Sequence, residues 1–226
     1  MGTLFVVATP IGNLEDITAR ALRVLREVDV VLCEDTRVTK KLLAHYNIPT
    51  QVESYHAHSV QSKTKKIEAW LQGGKRLALV SDAGTPGISD PGVELVAQIR
   101  TTCPDVHIEA VPGPTALTAA LSIAGVPTHT FVFMGFPPHK KGRKTFFDTI
   151  ATTNATVVFY ESTHRILKAL DALYDRQPTR GISIVKEITK IHERVISGTP
   201  SEVLATLGDD PLLLKGEFVV IVHPVS

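Results

Sequence analysis

Only two of the 226 residues are cysteine. Cys33 and Cys103 stand far apart, with no partner at zinc, redox or disulfide spacing, which excludes a disulfide-stapled fold and a cysteine metal centre. Excess charge of one sign is missing as well. With 24 basic and 23 acidic side chains the formal charge is +1, so no global field draws the chain to nucleic acid and such a partner must be held by local patches. The longest small and apolar stretch, 115–126, is too short to cross a bilayer. Gly2-Thr3 leads directly into a strand pattern without a signal peptide. These absences point to a soluble protein of the reducing cytoplasm with no membrane partner. Repeats and low-complexity tracts are absent too, and 43% hydrophobic against 21% charged residues excludes disorder and fibres.

What is present is concentrated in residues 77–92, Leu-Ala-Leu-Val-Ser-Asp-Ala-Gly-Thr-Pro-Gly-Ile-Ser-Asp-Pro-Gly. A short apolar run breaks into a loop dense in glycine, proline and aspartate. Gly84, Gly87 and Gly92 let the backbone bend and approach a ligand, Pro86 and Pro91 stiffen it, and Asp82 and Asp90 supply acceptors. Loops at strand carboxyl ends are where open α/β sheets bind ligands. An ordinary strand-to-helix turn, with Pro91 at the first helical position, needs only a few of these residues.

Apolar runs alternate with helical patterns along the chain. Strands are expected at 4–8, 28–33, 52–55, 77–80 and 107–111. Between them lie helices at 38–46, 62–71 and 93–100, and one more in which Leu14, Ile17, Ala21, Leu25 and Val28 recur behind the cap Asn13. Five strands separated by helices predict a parallel sheet covered on both faces. The Val-Pro-Gly-Pro-Thr-Ala turn at 111–116 marks a domain boundary, giving domains 1–113 and 114–226. In the second domain, strands at 131–134, 156–160, 182–186, 194–197 and 217–223 with helices at 164–174 and 201–207 include a hairpin between Lys186 and Arg194, so its sheet is mixed.

Two basic runs stand out. Lys63, Lys65 and Lys66 lie on a helix and read first as a solvated face. Lys140, Lys141, Arg143 and Lys144 follow Pro137-Pro138 in what reads as a loop, where such side chains can meet phosphates or, equally, form a solvated face. His56 and His58 suggest a metal pair only at first sight, because no carboxylate or cysteine completes a ligand set, and no metal is expected.

Six segments read together carry a resemblance: Ala-Thr-Pro-Ile-Gly-Asn-Leu at 8–14 with Asp16-Ile17-Thr18, Cys-Glu-Asp-Thr-Arg at 33–37, the 81–92 loop, the Val-Pro-Gly-Pro-Thr-Ala turn, Phe-Tyr-Glu-Ser-Thr-His-Arg at 159–165, and Lys-Glu-Ile-Thr-Lys-Ile-His-Glu at 186–193. In this order they resemble the tetrapyrrole methylase superfamily over essentially the whole chain. Within it they resemble the branch that methylates the ribose 2′-hydroxyl of a decoding-centre cytidine in small-subunit (16S) ribosomal RNA. Corrin-methylating members resemble one another in a glycine-rich Gly-x-Gly-Pro-Gly-Asp first loop, and Ala8 to Asn13 depart from it. The ribosomal branch is expected to read His-Glu-His-Asn where this chain has His56-Ala57-His58-Ser59.

The resemblance implies a two-domain α/β fold, a homodimer, and S-adenosylmethionine held in a cleft by Ile11, Ser81, Asp82, Thr85, Thr115, Ala116, Tyr160, Glu161 and Thr189. The small ribosomal subunit is the implied partner, with Arg37, His56, His58, Lys140, Lys141, Arg143, Lys144 and Arg165 as candidate RNA contacts. His164 and Arg165 read equally as a cap on the following helix. A ribose hydroxyl is a poor nucleophile, so transfer needs placement and a base. Glu187 is the preferred candidate, with Lys190 and Asp35 beside it. A salt-bridged strand end explains Glu187 and Lys190 equally well. Methylation of a tetrapyrrole or other small molecule, and a non-catalytic RNA-binding module, remain as alternatives.

Overall fold

The structure, a computed structural model, describes residues 1–55, 60–89 and 92–225. It divides into two compact units, Met1–Thr115 and Ala116–Ser226.

In the first unit, β1 (Thr3–Val7), β2 (Val30–Cys33), β3 (Gln51–Ser54), β4 (Arg76–Leu79) and β5 (His107–Val111) pair in the order β3-β2-β4-β1-β5. All four pairings are parallel. Every residue of β2 is buried, which is why Val-Val-Leu-Cys is continuously apolar rather than alternating. On one face α1 (Ala19–Glu27) and α2 (Thr36–His45) set Ala21, Val24, Leu25 and Leu43 against Phe5, Val7, Val31 and Ala78. On the other, α3 (Val60–Gln72) and α4 (Val93–Thr102) bring Ile67, Leu71, Leu95 and Ile99 onto Leu4, Leu32, Leu77 and Leu79. Burying each such side chain contributes about 1.5–3 kcal/mol. The neighbouring strands β1 and β4 therefore send their following helices to opposite faces, and such a switch in direction opens a crevice at the strand ends.

The helix expected from Leu14 to Val28 is two elements. Asn13 caps a single 3-10 turn, Leu14–Asp16, by accepting from the Glu15 amide. Ile17 is extended, and Thr18 starts α1 by accepting from the Ala21 amide. A second cap five residues after the first interrupts a continuous helix whatever the apolar spacing.

The second unit runs α5 (Ala116–Ile123), β6 (Phe131–Phe133), α6 (Arg143–Thr152), β7 (Thr156–Ser162), α7 (Ile166–Tyr174), β8 (Ile182–Lys186), β9 (Arg194–Gly198), α8 (Pro200–Asp209) and β10 (Glu217–Val222). Its sheet order is β6-β7-β10-β8-β9, with β6 parallel to β7 and the other pairs antiparallel. Phe146, Phe147 and Ile150 of α6 join Leu170, Leu173, Val203 and Leu207 on the sheet face formed by Val157, Phe159, Ile184, Phe218 and Val220. The basic run is thus not wholly a loop. Gly142, in the left-handed region at φ +88°, caps α6, and Arg143 and Lys144 begin it.

Candidate active site

At the first unit's switch point the loops after β1 and β4 are tied together. Thr9 and Gly84 exchange backbone hydrogen bonds, Thr9 N–H to Gly84 O at 2.9 Å and Gly84 N–H to Thr9 O at 3.0 Å. The Thr9 hydroxyl donates to Ser81 O at 3.1 Å, and the Ser81 hydroxyl reaches Gly84 O at 3.2 Å. Gly84 has φ +84°, and a Cβ there would stand 3.3 Å from the Ile11 side chain, so glycine serves both conformation and closeness. Thr85 donates to Pro114 O at 3.3 Å, joining the Pro-Gly-Pro turn to the same loops. Beside them Thr9, Pro10, Gly12, Val38, Ser81 and Asp82 line a hollow of about 270 Å³.

Asp82 accepts from the Asp35 backbone N–H at 3.2 Å. Asp35 caps α2 through the Arg37 amide at 2.8 Å and takes the Arg37 guanidinium at 2.6 Å. That guanidinium bond, then the amide, bring the Asp35 pKa down to about 2. Burial pushes the Cys33 thiol up, so it is not a thiolate at neutral pH. Lys63 and Lys66 fold back onto Glu53, with Lys66 at 3.1 Å, which spends much of the first basic run.

In the second unit Tyr160, Glu161, Glu187, Thr189 and Lys190, with Arg143 and Arg165, lie at one end of the sheet, where β7 and β8 finish and β10 starts, whereas Ala116 opens α5. Tyr160 packs edge-on against Phe133 and Phe136 at centroid distances of 5.0 and 5.4 Å. The Glu161 side chain is wholly buried between two arginines, with Arg165 at 2.9 Å on Oε1 and Arg143 at 3.6 Å from Oε2. Arg165 also donates to Pro137 O at 3.0 Å. The side chains of Arg143 and Arg165 are only 21% and 18% exposed. Expected as RNA contacts, both are turned inward because Glu161 needs countercharge where no water reaches it. Arg143 Nη1 and Nη2 and Glu161 Oε2 are buried without a hydrogen-bond partner.

The turn after β8 is strained. Glu187 and Thr189 have φ +49° and +67°, a region that costs non-glycine residues about 1–3 kcal/mol each and is found where surroundings enforce it. Glu187 Oε1 accepts both Lys190 Nζ and the Glu217 N–H at 2.9 Å, and Lys190 also bridges to Glu217 at 2.9 Å. Burial raises the Glu187 pKa, but Lys190, the Glu217 amide and the Lys186 charge outweigh it, leaving the carboxyl below its ordinary range. Burial likewise lowers Lys190, and its two carboxylates more than restore it. Gly216, at φ +112°, lies where a Cβ would meet the Glu187 carboxylate at 2.5 Å. The Thr189 hydroxyl is buried with no partner. Such orphaned groups are rare, and one in a strained turn suits a ligand's hydrogen bond.

Lys140, Lys141 and Lys144 are exposed. His56 and His58 lie outside the described residues. Among the described residues no group of three His, Cys, Asp or Glu could hold a metal ion, and no helix is long and apolar enough to cross a membrane. The Arg143–Glu161–Arg165 cluster was not expected from the sequence. The i,i+4 spacing of Glu161 and Arg165 was its only local sign.

The family model for the Tetrapyrrole (Corrin/Porphyrin) Methylases matches residues 3–204. The chain belongs to this family. The chain is 44% identical over 223 residues to "Ribosomal RNA small subunit methyltransferase I" of Halalkalibacterium halodurans, covering 98% of this chain and 76% of that protein. It is 40% identical to the protein of the same name from Thermotoga maritima, covering 96% and 100%. In fold, the chain is similar to the uroporphyrin-III C-methyl transferase of Thermus thermophilus complexed with S-adenyl homocysteine, with TM-score 0.65 and 21% identity over 98% and 97% of the two chains.

Proposed function

We propose that this chain is an S-adenosylmethionine-dependent methyltransferase that modifies the ribose 2′-hydroxyl of a cytidine in the decoding centre of small-subunit (16S) ribosomal RNA. The observation that carries the reading is the near full-length similarity to relatives named ribosomal RNA small subunit methyltransferase I. When bound, the cofactor supplies a methyl group already activated on a sulfonium. The protein's task is therefore placement and proton handling.

The residues fit that ligand in each unit. In the first, the bridged loops present Ile11, Ser81, Asp82 and Thr85 beside the hollow, with Thr115 following the turn, and Asp82 accepts from an ammonium or ribose hydroxyl. In the second, Ala116 opens α5, and Tyr160 and the orphaned Thr189 hydroxyl supply an aromatic face and a polar anchor at the sheet end, while the Glu161 side chain, wholly buried and spent on Arg143 and Arg165, leaves only its backbone for a ligand. Glu187 is the candidate base. Lys190 orients it, and the Glu217 amide fixes the oxygen that Lys190 holds. Asp35, bound by Arg37 and at a pKa of about 2, is a poor proton acceptor. Lys140, Lys141 and Lys144 are free to meet phosphates, with exposed Arg37 a further contact. A ribosomal substrate sets the enzyme in the cytoplasm. Homodimer formation is supported by the edge strand β6, where Phe131 and Val132 are 39% and 41% exposed.

Transfer of labelled methyl from S-adenosylmethionine to small subunits from cells lacking this protein, followed by mass mapping of the RNA, tests the reading. A ribose-methylated cytidine is expected. Label passing only to a tetrapyrrole, or to nothing, overturns it.

A further inference from the structure

Lys186 is the last residue of β8 and only 4% exposed. Along β8 it continues the face of Ile182 and Ile184, which belongs to the second unit's core. Register places it in a single row across the sheet: Glu161 pairs with Phe218, Phe218 with Lys186, and Lys186 with Arg194. Directly paired residues share a face. Glu161 is thus two strand spacings away, about 10 Å, with Phe218 between them. It is already occupied by Arg143 and Arg165. Glu187, next in sequence, gives its Oε1 to Lys190 and the Glu217 amide. Arg194 is a cation, and Glu217 bonds Lys190.

Among the described residues, therefore, the Lys186 ammonium has neither a hydrogen bond nor an ion pair, although its stem is packed in the core. Nor is it sealed in. It is absent from the buried polar atoms that lack a partner, so Nζ keeps contact with solvent. A stem packed in the core with its ammonium at the solvent boundary holds the charge in one place, and apart from water it has no counterpart among the described residues, which leaves it open to an anionic oxygen of a ligand. An apolar side chain of the same length would fill the site better.

We propose that Lys186 is an anion-binding residue of the active site, its ammonium receiving a carboxylate or phosphodiester oxygen of a bound ligand. The two sources are the amino-acid carboxylate of the methyl donor and a phosphate of the RNA beside the modified nucleotide. Lys186 shares the sheet end with Glu161, Thr189 and Glu187, and among the described residues there it is a buried cation that no carboxylate bonds, whereas its neighbour Arg194 is exposed. This inference rests on the methyltransferase reading, from which its test is separable.

The test compares wild type, Lys186→Met, which keeps the buried stem, and Lys186→Arg, which keeps the charge. Calorimetry with S-adenosylhomocysteine and filter binding to unmodified small subunits report the two sources separately, with thermal melting as the stability readout. Lys186→Met should weaken one ligand about ten- to a hundredfold, as expected for a charge-assisted bond, with Tm unchanged or raised. Lys186→Arg should bind like wild type. Loss confined to S-adenosylhomocysteine assigns the carboxylate, and loss confined to the subunit assigns the phosphate. Unchanged affinity for both ligands in Lys186→Met overturns the proposal. A lowered Tm with full binding overturns it as well, because the lysine is then structural. Failure of the wild-type chain to bind either ligand is instead a failure of the methyltransferase reading.

Discussion

The Asp35 carboxylate holds the Arg37 guanidinium at 2.6 Å, whereas Glu187 faces an ammonium that it shares with Glu217. The first arrangement fixes a helix start. The second leaves an anion oriented in a strained turn beside the orphaned Thr189 hydroxyl. Replacing Glu187 by Gln keeps an acceptor for the Glu217 amide and removes the proton-accepting charge. Single-turnover transfer by Glu187→Gln should fall about 100- to 10,000-fold with S-adenosylhomocysteine affinity near wild type, while Asp35→Asn, which still caps α2, loses only a few fold. The reverse ranking would move the base to Asp35. Because Glu187 lies below its ordinary value of 4.5, its titration should leave the wild-type rate flat across the neutral range, with any loss from its protonation confined to acid pH.

At the scale of elements, α6 separates two kinds of positive charge that look alike in sequence. Lys140, Lys141 and Lys144 face solvent, and Arg143 turns onto Glu161. Changing the three lysines together to Gln should reduce the salt slope of RNA binding by about 0.7–0.9 per lost phosphate contact and leave Tm unchanged. Arg143→Gln should do the opposite, lowering stability by about 1–3 kcal/mol in urea unfolding, because Glu161 loses countercharge in a buried site. Equal salt slopes for wild type and the triple variant would make the run a solvated face. Much of this layer was legible beforehand. The strands of the first unit announce themselves because both faces are covered, so their apolar runs are unbroken. The hairpin of β8 and β9 followed from the closeness of Lys186 and Arg194. Helix α6 was not legible, since a Pro-Pro and a basic run hide its start, although Phe146, Phe147 and Ile150 carry helical spacing. Nor was the break at Ile17, where the hydroxyl of Thr18 outweighs the apolar periodicity of its neighbours. The candidate cofactor residues came from motif order, whereas the pairing of Arg143 with Glu161 depends on tertiary contact that no spacing encodes.

At the scale of the molecule, each unit carries its own core, and His223 ties several parts of the second. Its Nε2 meets the Ser183 hydroxyl at 2.9 Å, Ser183 meets Ser197 at 2.8 Å, and its carbonyl accepts from Arg180 Nε at 2.6 Å. Burial first, and then the Arg180 charge, hold the imidazole pKa below its ordinary 6.5. The unfolded chain therefore binds this proton more readily than the folded one, so its contribution to stability is complete above 6.5 and is lost as pH falls from there to the lower folded value. Urea midpoints at pH about 7.5 and about 5.5 should differ more for wild type than for His223→Gln. An equal difference in the two proteins would show that other groups set the acid sensitivity.

The paired amides of Thr9 and Gly84 also constrain how this sequence can vary. Surface loops ordinarily tolerate inserted residues, because lengthening a free loop adds little closure entropy. Here each loop is part of the other's backbone pairing. An insertion before Thr9 or between β4 and Gly84 shifts the bridge out of step and draws Ser81, whose carbonyl takes the Thr9 hydroxyl, along with it. The two segments are bound to keep their lengths jointly, so new specificity is open to side-chain exchange on a fixed frame and closed to growth of the loops themselves.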